Sequence, residues 1–97
     1  MSEAPSSLRL DLWLYRTRFF KTRTLASTFA AKGKVRISRF GVVRRAKNGA
    51  AQVLADDVLT FAQKQRVTMI KVLAMPERRG PATEAGQCYE SLKEKQN

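Results

Sequence analysis

The sequence contains no histidine, and this absence removes much of the usual chemistry of enzyme active sites. Histidine-dependent catalytic triads, histidine metal ligands and the commonest general base are all excluded. The five glycines are isolated from one another, so no glycine-rich phosphate-binding loop is present. We therefore expect a protein that is not an enzyme and that carries no cofactor and no metal.

Cysteine is equally scarce, since Cys88 is the only one. A single cysteine forms neither an intrachain disulfide nor a cysteine-cluster zinc site, which favours a reducing, cytoplasmic setting. We interpret Cys88 as a small core residue rather than a nucleophile. The N-terminal segment lacks the basic start and apolar run of a signal peptide, and no apolar stretch is long enough to span a membrane. No membrane partner is expected.

Acidic residues are also few, with eight against 19 lysines and arginines, and the formal net charge is +11. Residues 1–47 hold 12 of these cations and two acids, a balance of +10, whereas residues 48–97 hold seven cations and six acids, a balance of +1. No acid occurs between Asp11 and Asp56. An ordinary solvated surface interleaves both signs, so this distribution predicts a face that binds an anionic partner.

The chain is long enough for one domain, which begins after an expected flexible arm at residues 1–7. A first helix is predicted from Leu8 onward, because apolar side chains then recur at helical spacing. A second helix is predicted between Thr22, a suitable N-cap, and Gly33, a suitable residue just past the C-terminus. The two apolar stripes comprise Leu10, Trp13, Leu14 and Thr17 in the first helix and Leu25, Ala26, Phe29 and Ala30 in the second.

After Gly33 the pattern changes from helical to alternating, which predicts strands. The first strand is expected at residues 34–38, with a turn at residues 39–41 and a return strand at residues 42–44. Further strands are predicted at residues 52–54, 58–61 and 67–73.

A C-terminal helix is predicted to start near Pro81 and to carry its apolar side chains on one stripe. The order of elements indicates an α+β domain. The adjacent acids Asp56 and Asp57 are interpreted as a solvated turn rather than a carboxylate pair, because neighbours on an extended chain point to opposite faces. The C-terminal stripe comprises Ala85, Cys88, Tyr89 and Leu92.

The cations of the first half are predicted to cluster around the second helix and the strand after it. Arginine donates two parallel N–H bonds to a phosphate, and the free N–H groups at a helix N-terminus add further donors. The phosphates of nucleic acid are therefore the natural partner of this surface. The candidate contacts are Arg9, Arg16, Arg18, Lys21, Thr22, Arg23, Lys32, Lys34, Arg36, Arg39, Arg44 and Arg45.

Two further residues receive specific interpretations. Asp11 is an acid inside a basic field, and we expect it to orient Arg23 or a neighbouring arginine rather than to touch the partner. Phe40 lies in a predicted turn and is the best candidate for stacking on a base. The aromatic residues expected to pack in the core are Trp13, Phe19, Phe20 and Phe29.

The segment RLDLWLYRTRFFKTRTLASTFAAKGKVRIS resembles the S4 RNA-binding domain. That family has an Arg-Leu-Asp start, a Ser/Thr-Arg step before the second helix and a Gly-x-Val-x-Val/Ile entry into a strand, and residues 9–11, 22–23 and 33–37 match these three motifs. The RGPATEA segment at residues 79–85, followed by Tyr89-Glu90, extends the resemblance to the heat shock protein 15 family. The departures from the family pattern lie in turns, at residues 38–41, 45–47 and 56–57.

This resemblance implies an S4 (alpha-L) RNA-binding fold, with two N-terminal helices packed on a small, mainly antiparallel sheet and a C-terminal helix. The S4-type domain would cover residues 8–75, and residues 76–97 would form a C-terminal extension. The resemblance further implies a bacterial protein that binds structured ribosomal RNA, and we expect it to be a monomer. Its target would be the large ribosomal subunit carrying a stalled nascent chain and tRNA, which it would help to recycle under heat stress.

Two alternatives stay open. The chain could be a basic DNA-binding module that places its second helix in a major groove, although that helix is rich in alanine and offers few side chains that read bases. Weak binding to DNA is compatible with the main interpretation as well. The chain could also be the S4 accessory domain of an RNA-modifying enzyme, which would require a catalytic partner chain.

Overall fold

The computed structural model describes residues 6–63 and 65–92 and has the predicted α+β architecture. Among these residues no helix is long and apolar enough to cross a bilayer. The helices are α1 (Leu10–Arg16), α2 (Arg23–Ala31) and α3 (Ala82–Gly86), and the strands are β1 (Ser7–Arg9), β2 (Val35–Arg39), β3 (Val42–Arg45), β4 (Gln52–Leu54), β5 (Val58–Gln63), β6 (Arg66–Val72) and β7 (Tyr89–Ser91).

Helix α1 begins at Leu10, two residues later than predicted, because residues 7–9 form strand β1 instead. Strand β1 pairs with β4 in a two-stranded antiparallel sheet, a long-range contact that helical periodicity does not reveal. Of the arm predicted at residues 1–7, residues 1–5 lie outside the described part of the chain. The predicted apolar stripe of the helix is confirmed, since all four of its members are buried: Leu10, Trp13, Leu14 and Thr17.

Helix α2 has both of its predicted caps. The Thr22 hydroxyl accepts a hydrogen bond from the backbone N–H of Leu25 at 3.0 Å. At the other end Gly33 has φ 73, and its N–H donates to the Ala30 carbonyl at 2.9 Å. Glycine adopts this left-handed conformation at little cost, which explains the clean end of the helix.

The five-stranded sheet has the order β3-β2-β5-β6-β7, and every neighbouring pair is antiparallel. Alternate side chains point to opposite faces, so one face of the central strands joins the core with α1 and α2 while the other is more open to solvent. The buried side chains of this sheet are Val35, Ile37, Leu59, Phe61, Ile70 and Val72.

The two phenylalanines that follow α1 pack in the core, as predicted. The ring centroid of Phe19 lies 5.5 Å from that of Phe61 and 4.8 Å from that of Tyr89. The ring centroids of Phe20 and Phe29 lie 5.1 Å apart. Aromatic pairs at these separations add to the stabilisation from burial, so this cluster fixes the connection between α1 and α2 onto the sheet.

The predicted C-terminal helix is present but shorter than the sequence indicates. Helix α3 ends at Gly86, and the following residues form strand β7 along β6. The helical stripe predicted through Tyr89 to Leu92 is therefore wrong. The free edge of β6 supplies backbone partners that a helix would not use, and the Leu92 N–H donates to the Met69 carbonyl at 2.9 Å.

Candidate nucleic-acid interface

Asp11 is the centre of a small arginine cluster at the start of α1. Its side chain is buried, and its carboxylate oxygens lie 3.2 Å from Nε and 3.0 Å from Nη2 of Arg9. Oδ1 also accepts the backbone N–H of Leu12 at 2.7 Å, and Nε of Arg23 lies 3.7 Å from the same oxygen. These donors replace the water that a buried carboxylate loses. The side-chain hydrogen bond to Asp11 raises the pKa of Arg9.

Both arginines remain accessible while they are held. The side chains of Arg9 and Arg23 are 44% and 48% exposed, and a guanidinium has five N–H donors, more than Asp11 uses. Two cations and one acid leave a positive balance, and side chains ordered before binding lose less entropy when a ligand arrives. Asp11 thus has the geometry of an orienting acid, while its effect on a ligand stays a prediction.

The first turn of α2 adds donors beside this cluster. The Thr22 oxygen accepts the Leu25 N–H as an N-cap, which leaves its hydroxyl proton free to donate. The N–H groups of Arg23 and Thr24 have no intrahelical partner at a helix start, and the helix dipole is positive there. Lys21 is exposed immediately before the cap. This end of the helix is therefore suited to an anionic oxygen.

The loop between β3 and β4 closes against Asp11. The N–H groups of Leu10 and Asp11 donate to the carbonyls of Ala51 at 2.8 Å and Gly49 at 3.1 Å. A Cβ on Gly49 would lie 2.7 Å from Oδ2 of Asp11, so glycine is required by close approach. Lys47, two residues before Gly49, is exposed.

An open groove of about 440 Å³ lies between β3 and residues 46–52. The exposed side chains of Arg44 and Lys47 line it. Lys47 was not among the predicted contacts, although it belongs to the same acid-free segment and the charge pattern alone would have indicated it.

Arg39 also lines this groove, but its guanidinium forms an ion pair with Asp57. Its Nε and Nη2 each lie 2.8 Å from a carboxylate oxygen of Asp57, and Nη2 also donates to the Gln52 carbonyl at 3.1 Å. Asp57 is buried and accepts the Leu54 N–H at 2.9 Å. The interpretation of Asp57 as a solvated turn residue is therefore wrong, and only Asp56 is exposed. The hydrogen bond to Asp57 raises the pKa of Arg39.

A second basic surface lies on the outer face of the five-stranded sheet. Arg36 and Arg45 stand opposite each other on β2 and β3, and with Lys34 they line an open groove of about 530 Å³. Like charges in such a pair are destabilising, and neither arginine has an acid partner within residues 6–63 and 65–92. Alternation along β3 puts Arg44 on the other face. Lys32 is exposed nearby in sequence, at the end of α2.

Arg16 and Arg18 hold the C-terminal segment against the helices. Nη1 of Arg16 donates to the Pro76 carbonyl at 3.0 Å, and Nη1 of Arg18 donates to the Gly80 carbonyl at 2.8 Å. Arg79, in the C-terminal segment, donates in turn to the carbonyls of Tyr15 in α1 and of Phe20 after it. The structure therefore separates these two arginines from the Asp11 cluster and gives them a structural role that the charge pattern does not reveal.

Phe40 is 98% exposed, more than any other large apolar side chain that the structure describes. It is the first residue of the two-residue turn between β2 and β3, with φ 53, and Gly41 follows with φ 79. Hairpin turns with two positive φ values favour Asn-Gly. A bulky residue in this region costs roughly 1–2 kcal/mol, so the phenylalanine stabilises neither the turn nor the core.

The side chains of the described residues that most readily ligate a metal are a few acids and Cys88, and Cys88 is also a candidate nucleophile. No group of three or more histidine, cysteine, aspartate or glutamate side chains among them is placed to hold a metal. Burial, and to a smaller extent the charge of Glu84, raise the pKa of the Cys88 thiol. A thiol held in its protonated form is a poor nucleophile, which agrees with a packing role for Cys88.

No protein-family model matches the chain, but several known proteins are similar to it. Heat shock protein 15 of Escherichia coli K12 is 35% identical over 95 residues, which cover 97% of this chain and 68% of the relative. The homologue of Aeromonas salmonicida is 36% identical over 89 residues, which cover 92% and 64%. The homologue of Haemophilus influenzae is 33% identical over 87 residues, which cover 90% and 63%. The chain thus spans about two thirds of the length of these relatives.

The fold is similar to a solved structure, the trimeric structure of Vibrio cholerae heat shock protein 15. The TM-score is 0.78 at 34% sequence identity, and the match covers 89% of this chain and 82% of that one. Similarity over most of both chains confirms the predicted fold class.

Proposed function

The chain belongs to the heat shock protein 15 family, and from this premise we propose that it binds structured ribosomal RNA without catalysing a reaction. The observation that carries the proposal is the cluster in which the buried Asp11 holds Arg9 and Arg23 beside the open start of α2. Two partly exposed guanidinium groups at fixed positions, together with helix N–H donors, match the oxygens of a phosphate backbone.

The arrangement of the other cations favours RNA over duplex DNA. The exposed middle of α2 presents Thr24, Leu25 and Thr28, a set with few groups that read base edges in a major groove. The cations lie instead at the ends of the helix and on the β2–β3 hairpin, an arrangement suited to recognising backbone shape. Competition between duplex DNA and ribosomal RNA for the purified protein tests this choice, and preference for DNA would contradict it.

We further propose that the target is the large ribosomal subunit carrying a stalled nascent chain and tRNA. Binding would aid recycling of that subunit under heat stress, in the cytoplasm. Membership of the family and the basic surface around the start of α2 support this target.

Co-sedimentation over a salt series tests the ribosomal target. The protein is mixed with small subunits, large subunits and whole ribosomes, and the pellets are assayed for the chain. We expect binding to large subunits that weakens steeply with salt. Equal binding to small subunits, or binding to none of the particles at near-physiological salt, would contradict the ribosomal proposal while leaving general RNA binding open.

The absence of catalysis and the monomeric state are parts of the proposal with their own tests. Incubation of RNA with the purified chain should leave the RNA chemically unmodified, whereas modification would support the enzyme-domain alternative.

The Vibrio cholerae relative was solved as a trimer, so light scattering at concentrations that bind RNA tests the oligomeric state of this chain. We expect the mass of one chain, and a stable trimer would overturn that expectation.

A further inference from the structure

We infer that Phe40 is a stacking platform for an unpaired RNA base at the tip of the β2–β3 hairpin. The inference rests on the proposed RNA binding and adds a feature that the protein would select, namely a base that is not engaged in a duplex. The charged residues of the Asp11 cluster contact phosphates in any helix, whereas an exposed ring distinguishes splayed bases from paired ones.

The fold gives no reason for an aromatic residue at this position. The ring is 98% exposed, and none of the aromatic contacts in the described part of the chain involves it. The left-handed backbone at Phe40 and Gly41 would be better served by Asn-Gly. A large apolar ring held outward at a strained position is explained by contact with something outside the chain.

Both apolar and cationic side chains surround the ring, since Val42 and Val43 beside it are each 60% exposed and three arginines lie on the same hairpin. Arg44 projects on one face of the hairpin, and Arg36 and Arg45 project on the other. Arg44 follows Gly41 by three residues, about 10 Å along a strand, within reach of phosphates that flank a base stacked on Phe40. A partner that offers both a flat ring and anionic oxygens is complementary to this hairpin, and RNA offers both.

A cleft of about 100 Å³ is lined in part by Phe40. Leu54 and Ala55 form part of its lining, and Asp56 contributes an exposed carboxylate. Nζ of Lys71 lies 3.7 Å from that carboxylate and offsets its charge. The cleft therefore does not oppose an approaching phosphate as strongly as an unpaired acid would.

The test compares the wild type with Phe40→Asn, Phe40→Trp and Phe40→Leu on two fluorescein-labelled RNAs. One is a hairpin with an unpaired adenosine loop, and the other is a blunt duplex of the same length. We expect Phe40→Asn to weaken loop binding roughly 5- to 150-fold, the range for losing one base–aromatic stack, and Phe40→Trp to preserve it. Duplex binding and its salt dependence should not change, because no charge is removed.

Each contrary outcome overturns a defined part of the account. Wild-type binding to neither RNA overturns both the proposed function and the platform. Normal wild-type binding with an equally tight Phe40→Asn overturns the platform alone, and so does equal weakening on loop and duplex. If Phe40→Leu binds the loop as tightly as Phe40→Trp, the residue is an apolar anchor and not a stacking surface. Asparagine suits the turn, so thermal unfolding should show an intact fold.

Discussion

Two buried acids, Asp11 and Asp57, each bind an arginine through both carboxylate oxygens, but the arginines differ in how much they leave exposed. Arg39 is 29% exposed beside Asp57, while Arg9 and Arg23 are 44% and 48% exposed beside Asp11. The same pairing therefore stabilises the hairpin in one place and presents cations to solvent in the other. The chain has few acids, and the two buried ones, Asp11 and Asp57, both position arginines.

Replacing Asp11 with asparagine separates positioning from net charge. If charge alone governed binding, removing an acid would tighten the complex with RNA. Because an amide cannot hold Arg9 through two charged oxygens, we expect Asp11→Asn to weaken binding roughly fivefold and to lower the free energy of unfolding by about 1–3 kcal/mol. Fluorescence anisotropy and urea unfolding measure the two effects. Tighter binding would show that Asp11 does not position the arginines.

Gly49 allows the loop to close on that acid, and Gly49→Ala tests this contact. The added Cβ would lie 2.7 Å from Oδ2 of Asp11, so we expect a loss of about 1–3 kcal/mol in the free energy of unfolding. Gly86→Ala is the matched control, because its Cβ would have no neighbour within 4 Å. Equal unfolding midpoints for the two variants would mean that the loop does not depend on this close approach.

Arg39→Gln and Arg44→Gln remove the same charge from one hairpin but should have different effects. Arg39 is the partner of a buried acid, so its loss should lower the free energy of unfolding by about 1–3 kcal/mol with little change in RNA affinity. Arg44 should behave in the opposite way, with stability within about 0.5 kcal/mol and a salt slope flatter by roughly 0.7–0.9. The reversed pattern would mean that Arg39, and not Arg44, contacts the RNA.

Among the elements, α2 and the β2–β3 hairpin could be predicted because their signals are local. Thr22 and Gly33 mark the ends of the helix, and alternation marks the strands. Strand β1 could not be predicted, since it exists by pairing with the distant β4. The apolar spacing near Tyr89 fits a helix or a strand equally well, and the open edge of β6 decides between them.

The sequence also does not show which basic side chains bind other parts of the protein and which face solvent. A basic residue looks the same in the sequence whether its partner is solvent or a distant carbonyl. Arg18 shows this, because its partner, the Gly80 carbonyl, belongs to a segment far along the chain. The sequence therefore predicts that the candidate site is basic, but only the folded structure shows which basic residues belong to it.

Arg18→Gln tests the attachment of the C-terminal segment to the helices. Loss of the hydrogen bond to Gly80 should lower the free energy of unfolding by about 1 kcal/mol, which corresponds to about 4–8 °C in the unfolding midpoint of a domain of this size. The salt dependence of RNA binding should stay as in the wild type. A flatter salt slope with an unchanged midpoint would return Arg18 to the RNA-binding surface.

For the molecule as a whole, the two halves of the chain have different roles. The half with a balance of +10 forms β1, α1, α2 and the β2–β3 hairpin. The balanced half forms the remaining strands and α3, and it supplies Gly49 and Ala51 of the loop against α1. Cations of the basic half lie on both faces of the β2–β3 hairpin, so RNA in contact with all of them would pass around the edge strand β3. The central claim is that this half, and in particular the start of α2, binds RNA phosphates.

The salt dependence of binding to a ribosomal RNA fragment tests that claim most directly. Lys21→Gln/Arg23→Gln removes two charges at the start of α2, and Arg66→Gln/Arg78→Gln removes two exposed charges of the balanced half, one of which pairs with Glu84. We predict a slope flatter by roughly 0.7–0.9 for each lost contact in the first variant, with weaker binding, and a nearly unchanged slope in the second. The same slope and affinity in both variants would contradict the account and place the RNA elsewhere on the protein.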